Sequence, residues 1–199
     1  MEEEQPTPFN RQRRQLLGCV CALGVGLPAA VSAQDTGNAA APQVDDLLGY
    51  AFGERAGQPV GVDDLQPGAQ QVFAYAIDAS SGQLRNGSRL HQLLLVRLDP
   101  ATLAPETAAR SVNGVVAYSG VCSHTGCDVT DWNADSRRFQ CPCHESQFDP
   151  GDGARVVGGP APWQLAALPL KAVNGKLAVA GSFEGRLGFQ QPGLSPFGI

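Results

Sequence analysis

The chain has 199 residues, of which 43% are hydrophobic and 17% are charged, a balance that fits one globular domain with short appendages. Its 24 glycines and 15 prolines favour turns and short strands over long helices. The formal net charge of -5 argues against a nucleic-acid-binding surface, because neutralising phosphates requires clustered Lys and Arg, whereas it allows a positively charged protein partner.

The first 33 residues have the layout of an export signal. Residues 11–14 (RQRR) precede an apolar run from Leu16 to Ala33 that ends in small residues, as signal peptides do. The adjacent Arg13 and Arg14 resemble a twin-arginine signal. The alternative is a retained membrane anchor, but glycines and a proline interrupt this run, and a span needs about 20 strongly apolar residues. We expect a cleaved signal at 1–33 and a flexible linker at 34–45.

From residue 46 to residue 199 the sequence predicts one all-β domain. Short apolar runs alternate with turn signals, and the Asn174-Gly175 pair indicates a tight hairpin turn. The expected fold is an antiparallel β-sandwich or barrel, with a helical turn near residues 43–50 as its one helical feature. The predicted strands are 71–77, 91–98, 114–118, 138–140, 168–173, 176–180 and 186–189.

Four of the six cysteines and two of the three histidines are concentrated in two short motifs. Residues 122–127 read CSHTGC and residues 141–144 read CPCH. A structural zinc site could use such residues, although its cysteines usually come in C-x-x-C pairs. A pure disulfide framework leaves the histidines without a role, and a catalytic Cys-His pair does not explain the duplication. A cluster with two Cys on one iron and two His on the other accounts for the ligand types, and the remaining cysteines can then pair.

The two motifs, with Gly126 inside the first and Ser146 just after the second, resemble the Rieske [2Fe-2S] family over residues 122–148. Residues 159–162 (GPAP), which include Pro160, resemble the proline loop that shields the cluster in that family. The resemblance implies a cluster-binding subdomain at about 118–163. It also implies a cofactor and a pairing scheme: a 2Fe-2S cluster held by Cys122, Cys141, His124 and His144, with a disulfide between Cys127 and Cys143.

Two positions near the ligands bear on the reduction potential. By the resemblance, the Ser146 hydroxyl donates to a bridging sulfide and stabilises the reduced state. High-potential members of the family have a tyrosine two residues later that donates to a ligand sulfur, and this chain has Phe148 there. We therefore expect a lower potential than in quinol-oxidising members that make both bonds.

The resemblance implies one-electron transfer, and the sequence shows no motif for a substrate pocket, a nucleotide loop or a second metal site, so we expect no catalysis by the chain alone. Residues 143–149 are similar to the small subunit of arsenite oxidase, and Thr125 and Glu145 replace a Leu and a Gly common in cytochrome bc complexes. We therefore expect a redox subunit of a periplasmic oxidoreductase complex. Its partner would be a larger subunit or a cytochrome, without nucleic acid. The alternatives are the Rieske subunit of a quinol–cytochrome c reductase, attached to the membrane, and a structural zinc-binding module.

The export signal and the cysteines predict the compartment together. The twin-arginine route accepts folded cargo, so the domain could acquire its cluster in the cytoplasm and then cross the membrane. A disulfide between Cys127 and Cys143 would form in an oxidising periplasm. We therefore expect a periplasmic protein that is exported folded.

Overall fold

Two antiparallel sheets build residues 38–189, the part of the chain that this computed structural model describes. The larger sheet has the strand order β4-β3-β2-β1-β10-β9, and the smaller has the order β5-β6-β7-β8. The fold class is therefore all-β, as predicted. The strands are β1 (Leu47–Tyr50), β2 (Val72–Ile77), β3 (Leu93–Arg97), β4 (Val115–Ser119), β5 (Asp131–Asn133), β6 (Arg138–Gln140), β7 (Gln147–Asp149), β8 (Arg155–Gly158), β9 (Leu170–Val173) and β10 (Lys176–Val179).

Helical structure in the described residues is brief. One α-helix, α1, covers Pro105–Ala109, and 3-10 turns cover Val62–Asp64, Arg89–His91 and Pro100–Thr102. No helix between residues 38 and 189 has the length and apolar character to cross a membrane. The signal predicted at 1–33 and the last ten residues of the predicted domain lie outside the described residues.

Six of the predicted strands are confirmed as β2, β3, β4, β6, β9 and β10, with ends that shift by one or two residues. The hairpin turn is also confirmed, because Asn174 and Gly175 have φ values of 49° and 74° and connect β9 to β10. Positive φ at both central residues is the geometry of a type I′ turn, which Asn-Gly favours.

Three expectations were wrong. The helical turn expected at 43–50 is a tight turn followed by β1, because Leu47–Tyr50 pairs with β2 on one side and with β10 on the other. His91 was expected to begin a strand, but it ends the 3-10 turn Arg89–His91, and β3 starts at Leu93. Residues 186–189 form no strand, since two glycines with positive φ, Gly185 and Gly188, break the extended backbone there.

The larger sheet is buried on both faces along β3. Leu93 and Leu95 pack in one hydrophobic core, while Leu94 and Val96 pack in a second core. Successive side chains of a strand point to opposite faces, so an uninterrupted apolar run places residues in both cores. The second core also contains Cys122 and Cys141, which ties the candidate ligands directly to the folded interior.

The smaller sheet is an insertion between β4 and β9. The CSHTGC motif lies between β4 and β5, and the CPCH motif lies in the turn between β6 and β7. The chain then passes through residues 159–169 before it re-enters the larger sheet. The buried Tyr118 hydroxyl donates to the carbonyl of Pro150 at 2.8 Å and thereby ties the end of β4 to the insertion.

Candidate metal centre

The two motifs fold into loops with the same backbone geometry. In the first, the Cys122 N–H donates to the Cys127 carbonyl at 2.8 Å, and the Gly126 N–H donates back to the Cys122 carbonyl at 3.1 Å. In the second, the Cys141 N–H bonds the Ser146 carbonyl at 2.9 Å, and the Glu145 N–H bonds the Cys141 carbonyl at 2.9 Å. Each loop is therefore a closed turn that begins at a cysteine.

The fifth residue of each loop has a left-handed backbone. Gly126 has a φ of 80° and Glu145 has a φ of 57°. Glycine adopts this conformation freely, whereas other residues pay a steric cost. Glu145, which the sequence marked as a departure from a common family glycine, therefore keeps the turn at the expense of local strain.

The two loops bring the imidazoles of His124 and His144 together. Their Nδ1 atoms lie 3.2 Å apart, and the rings meet edge to face with centroids 4.6 Å apart. Two imidazole nitrogens on one tetrahedral metal, each about 2.0–2.1 Å from it, would lie about 3.3 Å from each other. The Nδ1 pair thus has the spacing that one shared metal ion requires.

Cys122 and Cys141 form a second pair, in the protein interior. Both are free thiols and both are 1% exposed. Burial raises the pKa of the Cys122 thiol, and the adjacent Cys141 raises it further, while hydrogen bonds from the His124 N–H and from Ser146 lower it. Two adjacent buried thiolates need a positive charge between them, which a bound metal ion supplies.

A disulfide joins the two loops between Cys127 and Cys143, the pair that the resemblance implies. Their sulfurs lie with that of Cys141 within 4.8 Å of one another. The two bonded sulfurs are committed to each other, so this trio is not a ligand set while the disulfide is intact. Within residues 38–189, no other three candidate ligand atoms lie this close to one another.

That spacing distinguishes between the metals considered from the sequence. Four ligands of a single zinc ion would bring their donor atoms within about 4 Å of each other. The imidazole pair and the buried thiol pair do not gather in this way among the described residues. Two separate pairs of donors suit two metal ions that share bridging atoms, and the donor set therefore fits a two-iron cluster.

Ser146 connects the second loop to the segment that follows β8. Its side chain is fully buried, and its Oγ accepts the N–H of Ala161 at 3.1 Å. A hydrogen bond between the same hydroxyl and the Cys122 thiol lowers the pKa of that thiol. Ala161 follows Pro160 in the predicted proline loop, which is thereby held against the site.

Gly159 allows the proline loop to approach this closely, a requirement that the sequence analysis did not detect. Its φ is 78°, and a Cβ built on it would lie 2.4 Å from the Cα of Ser146 and 2.7 Å from its N. Both neighbours are backbone atoms and cannot rotate away. Only glycine fits there.

We expect Gly159→Ala to lower the free energy of unfolding by about 2–4 kcal/mol, from left-handed strain plus a backbone clash. Gly175→Ala is the matched control, since Gly175 has a φ of 74° and nothing within 4 Å of the built Cβ. The control substitution should lower the free energy of unfolding only by the left-handed strain, about 1 kcal/mol. Chemical unfolding measures both, and equal losses would refute the close-contact explanation.

Phe148 is completely buried in the core that contains Cys122 and Cys141. It lies in β7, two residues after Ser146, and it has no hydroxyl to donate to a ligand sulfur.

Thr125 is exposed on the first loop, with its Oγ1 3.7 Å from Cys127 Sγ. His91 lies elsewhere, stacked on Phe183 at 6.4 Å, and burial lowers its pKa.

The match to a family of known proteins follows the same residues. A model of the Rieske [2Fe-2S] domain matches residues 74–169, which include both loops and the whole smaller sheet. Residues 74–169 therefore form a Rieske [2Fe-2S] domain. The cofactor of this Rieske protein is accordingly a 2Fe-2S cluster.

Curated relatives carry the same domain. The Rieske iron-sulfur subunit of the cytochrome bc1 complex from Streptomyces lividans is 39% identical over 99 residues, which are 48% of this chain and 58% of that protein. A putative respiratory nitrate reductase Rieske subunit from Haloferax mediterranei is 46% identical over 78 residues, 39% of this chain and 34% of that protein. This Rieske chain therefore spans a little over half of one relative and about a third of the other.

Among solved structures, the soluble domain of Rieske protein II from Sulfolobus acidocaldarius aligns with 23% identity and a TM-score of 0.37. The alignment covers 51% of this chain and 69% of that chain.

Proposed function

We propose that this chain transfers single electrons, with Cys122 and Cys141 binding one iron of the cluster and His124 and His144 binding the other. The observation that carries the proposal is the 3.2 Å distance between the two Nδ1 atoms, together with a separate, buried pair of free thiols. When bound, such a cluster exchanges one electron at roughly -150 to +300 mV, since neutral imidazoles replace two thiolates.

The protein assigns different tasks to the two ligand pairs. The thiols lie in the second core, which keeps that side of the site away from water. The imidazoles lie nearer the surface, and His144 is exposed, so that electrons enter and leave on that side. With Nδ1 of each ring engaged, Nε2 would remain free to donate a hydrogen bond to water or to a redox partner.

We further propose that the chain serves in a respiratory complex of the quinol–cytochrome c reductase type. Its relatives include subunits of cytochrome bc1 and cytochrome b6-f complexes. The arsenite-oxidase-like alternative rests on the likeness of residues 143–149, and Thr125 and Glu145, which depart from the residues common in cytochrome bc complexes, are both exposed on the loops that hold the histidines. Co-purification with cytochrome b and c subunits would support the first assignment, and co-purification with a large periplasmic oxidoreductase subunit would support the second.

A periplasmic location and folded export remain part of this proposal. The Cys127–Cys143 disulfide supports it, because such bonds persist in oxidising compartments. The twin-arginine motif that would direct export lies outside the described residues.

Protein-film voltammetry tests the proposed function. The purified chain should give a reversible one-electron wave, and Phe148→Tyr should raise its potential by about 40 mV, the one-electron equivalent of a hydrogen bond about 1 kcal/mol stronger in the reduced state. Phe52→Tyr, on an exposed ring, is the matched control and should leave the potential unchanged. The absence of any wave would reject electron transfer. An unchanged or lower potential in Phe148→Tyr would reject the tuning argument.

A further inference from the structure

We call the loops of residues 122–127 and 141–146 the first and second metal loops. Residues 181–189, which follow β10, run from the larger sheet to the first metal loop, and we call this segment the strap. It is fixed at Glu184, which exchanges backbone hydrogen bonds of 2.9 and 2.8 Å with Ala167. The Glu184 carboxylate also pairs with Arg110 at 3.0 Å. One residue before Glu184, Phe183 stacks on His91. The strap is therefore anchored at its start and reaches the site from there.

The far end of the strap contacts the first metal loop at Gly126. A Cβ built on Gly126 would lie 2.2 Å from Cε1 of Phe189, so the ring lies directly against the glycine. Phe189 is 38% exposed, so the rest of the protein covers part of its surface. A side chain at position 126 would push the ring away, and the left-handed φ there independently favours glycine.

Arg89 holds the same peptide from a different part of the chain. Its guanidinium donates a hydrogen bond to the Gly126 carbonyl and lies 3.6 Å from the carboxylate of Asp128. The next residue, Leu90, packs near Gly188 of the strap, where a built Cβ would meet it at 2.7 Å. The turn Arg89–His91 therefore touches both the loop and the strap.

Trp163, which follows the proline loop, completes this network. Its indole N–H donates to the Gly188 carbonyl at 3.2 Å, and its own carbonyl accepts the Ser123 hydroxyl at 2.5 Å. The Arg186 guanidinium lies 5.1 Å from the indole centroid. Trp163 therefore connects the strap to the first metal loop at the end of the proline loop.

We propose that Arg89 and Phe189 are positioning residues that clamp the first metal loop at Gly126 and keep the cluster bound when the disulfide is reduced. The inference rests on the proposed ligands, because His124 and Cys122 belong to the clamped loop. The disulfide restrains this loop at Cys127, one residue from the clamp. Two restraints on one short loop substitute for each other, so removing either alone leaves the loop closed and removing both opens it.

The test follows loss of the cluster's visible absorbance from the holoprotein in the presence of an iron chelator, with and without a phosphine that reduces the disulfide. Phe189→Ala should lose the cluster about tenfold faster than the wild type after reduction, the factor expected from removing a partly covered ring that contacts the loop. With the disulfide intact, the same variant should differ by less than about twofold, because the remaining restraint holds the loop. Phe189→Tyr should restore the wild-type rate.

Arg89 gives an independent variant if Phe189→Ala folds poorly. Arg89→Ala should accelerate cluster loss after reduction, and Arg89→Gln, which keeps a donor for the Gly126 carbonyl, should lie between it and the wild type. Phe52→Ala and Arg55→Ala are matched controls on exposed side chains that contact Phe73 and Asp64 instead. A further readout is the electron spin resonance spectrum of the reduced cluster, which should broaden in the clamp variants and stay sharp in the controls.

Wild-type rates in both Phe189→Ala and Arg89→Ala after reduction would overturn the clamp. Equal acceleration with the disulfide intact and reduced would also overturn it, since the restraints would then act independently. A failure of the proposed function is distinguishable, because the wild-type protein itself would then contain no iron–sulfur absorbance before any variant is compared.

Discussion

Replacing His144 by alanine should abolish the iron–sulfur centre. His144 Nδ1 lies 3.2 Å from His124 Nδ1, and removal of one imidazole leaves an iron with a single protein ligand on the exposed side of the site. We expect the visible absorbance and the reduced-state spin resonance signal to disappear, and the iron content to fall below about one per chain.

Two variants control this result. His91→Ala removes a histidine that stacks on Phe183 away from the loops, and it should retain the full signal. His144→Cys supplies a thiolate in place of the imidazole, and it should retain a cluster at a lower potential, because a negative ligand disfavours the reduced state. A His144→Ala protein with two irons and an unchanged spectrum would refute the ligand assignment. Binding of colourless zinc to the wild type would instead favour the structural zinc module.

Replacing Asp46 by alanine should cost about 3–4 kcal/mol of unfolding free energy, because it leaves Arg85 buried with an incomplete set of partners. Arg85 Nε and Nη2 lie 2.6 and 3.3 Å from the two carboxylate oxygens of Asp46. The two side chains are only 9% and 2% exposed. This pair joins the start of β1 to the loop after β2, so its loss should loosen the larger sheet.

Denaturant titration of the holoprotein measures the effect, and Asp46→Asn separates charge from hydrogen bonding. Asparagine can still accept a hydrogen bond from Arg85, so Asp46→Asn should lose less unfolding free energy than Asp46→Ala. Asp63→Ala is the matched control, because Asp63 is 98% exposed in its 3.7 Å pair with Arg97 and should change stability little. Similar stabilities for Asp46→Ala and Asp63→Ala would contradict the structural role of the buried pair.

The ligand candidates were readable from the sequence because metal chemistry restricts them to Cys and His at characteristic spacings. The strands β2, β3 and β4 could be predicted from the sequence because each contains an apolar run of four to six residues. The three-residue β6 was predicted as the segment that leads into the CPCH motif, whereas the equally short β5 and β7 were not predicted, because three residues are too few to display the alternation that marks a strand. Their pairing with β6 and β8 supplies the stability that local propensity does not.

The parts of the site that sequence reasoning missed depend on contacts between distant residues with ordinary side chains. Gly159 meets the backbone of Ser146, and Gly126 meets the ring of Phe189. The sequence does not show which atoms of the folded protein lie where the Cβ of another residue would be. Arg89 likewise has no local signal, since its partner is a backbone carbonyl far along the chain.

The pairing of β1 with β10 has a consequence for the order of events during synthesis. Leu47 pairs with Ala178, so the larger sheet stays incomplete until nearly all the described residues have been made. At about 5–20 residues per second, the ribosome delivers β10 on the order of ten seconds after β1. Both metal loops emerge during this interval, while one edge of β1 is still unpaired and open to other strands. A factor that loads the cluster before chain release would therefore meet both metal-loop segments before the larger sheet and the strap are complete, and one that acts later would meet the closed sheet.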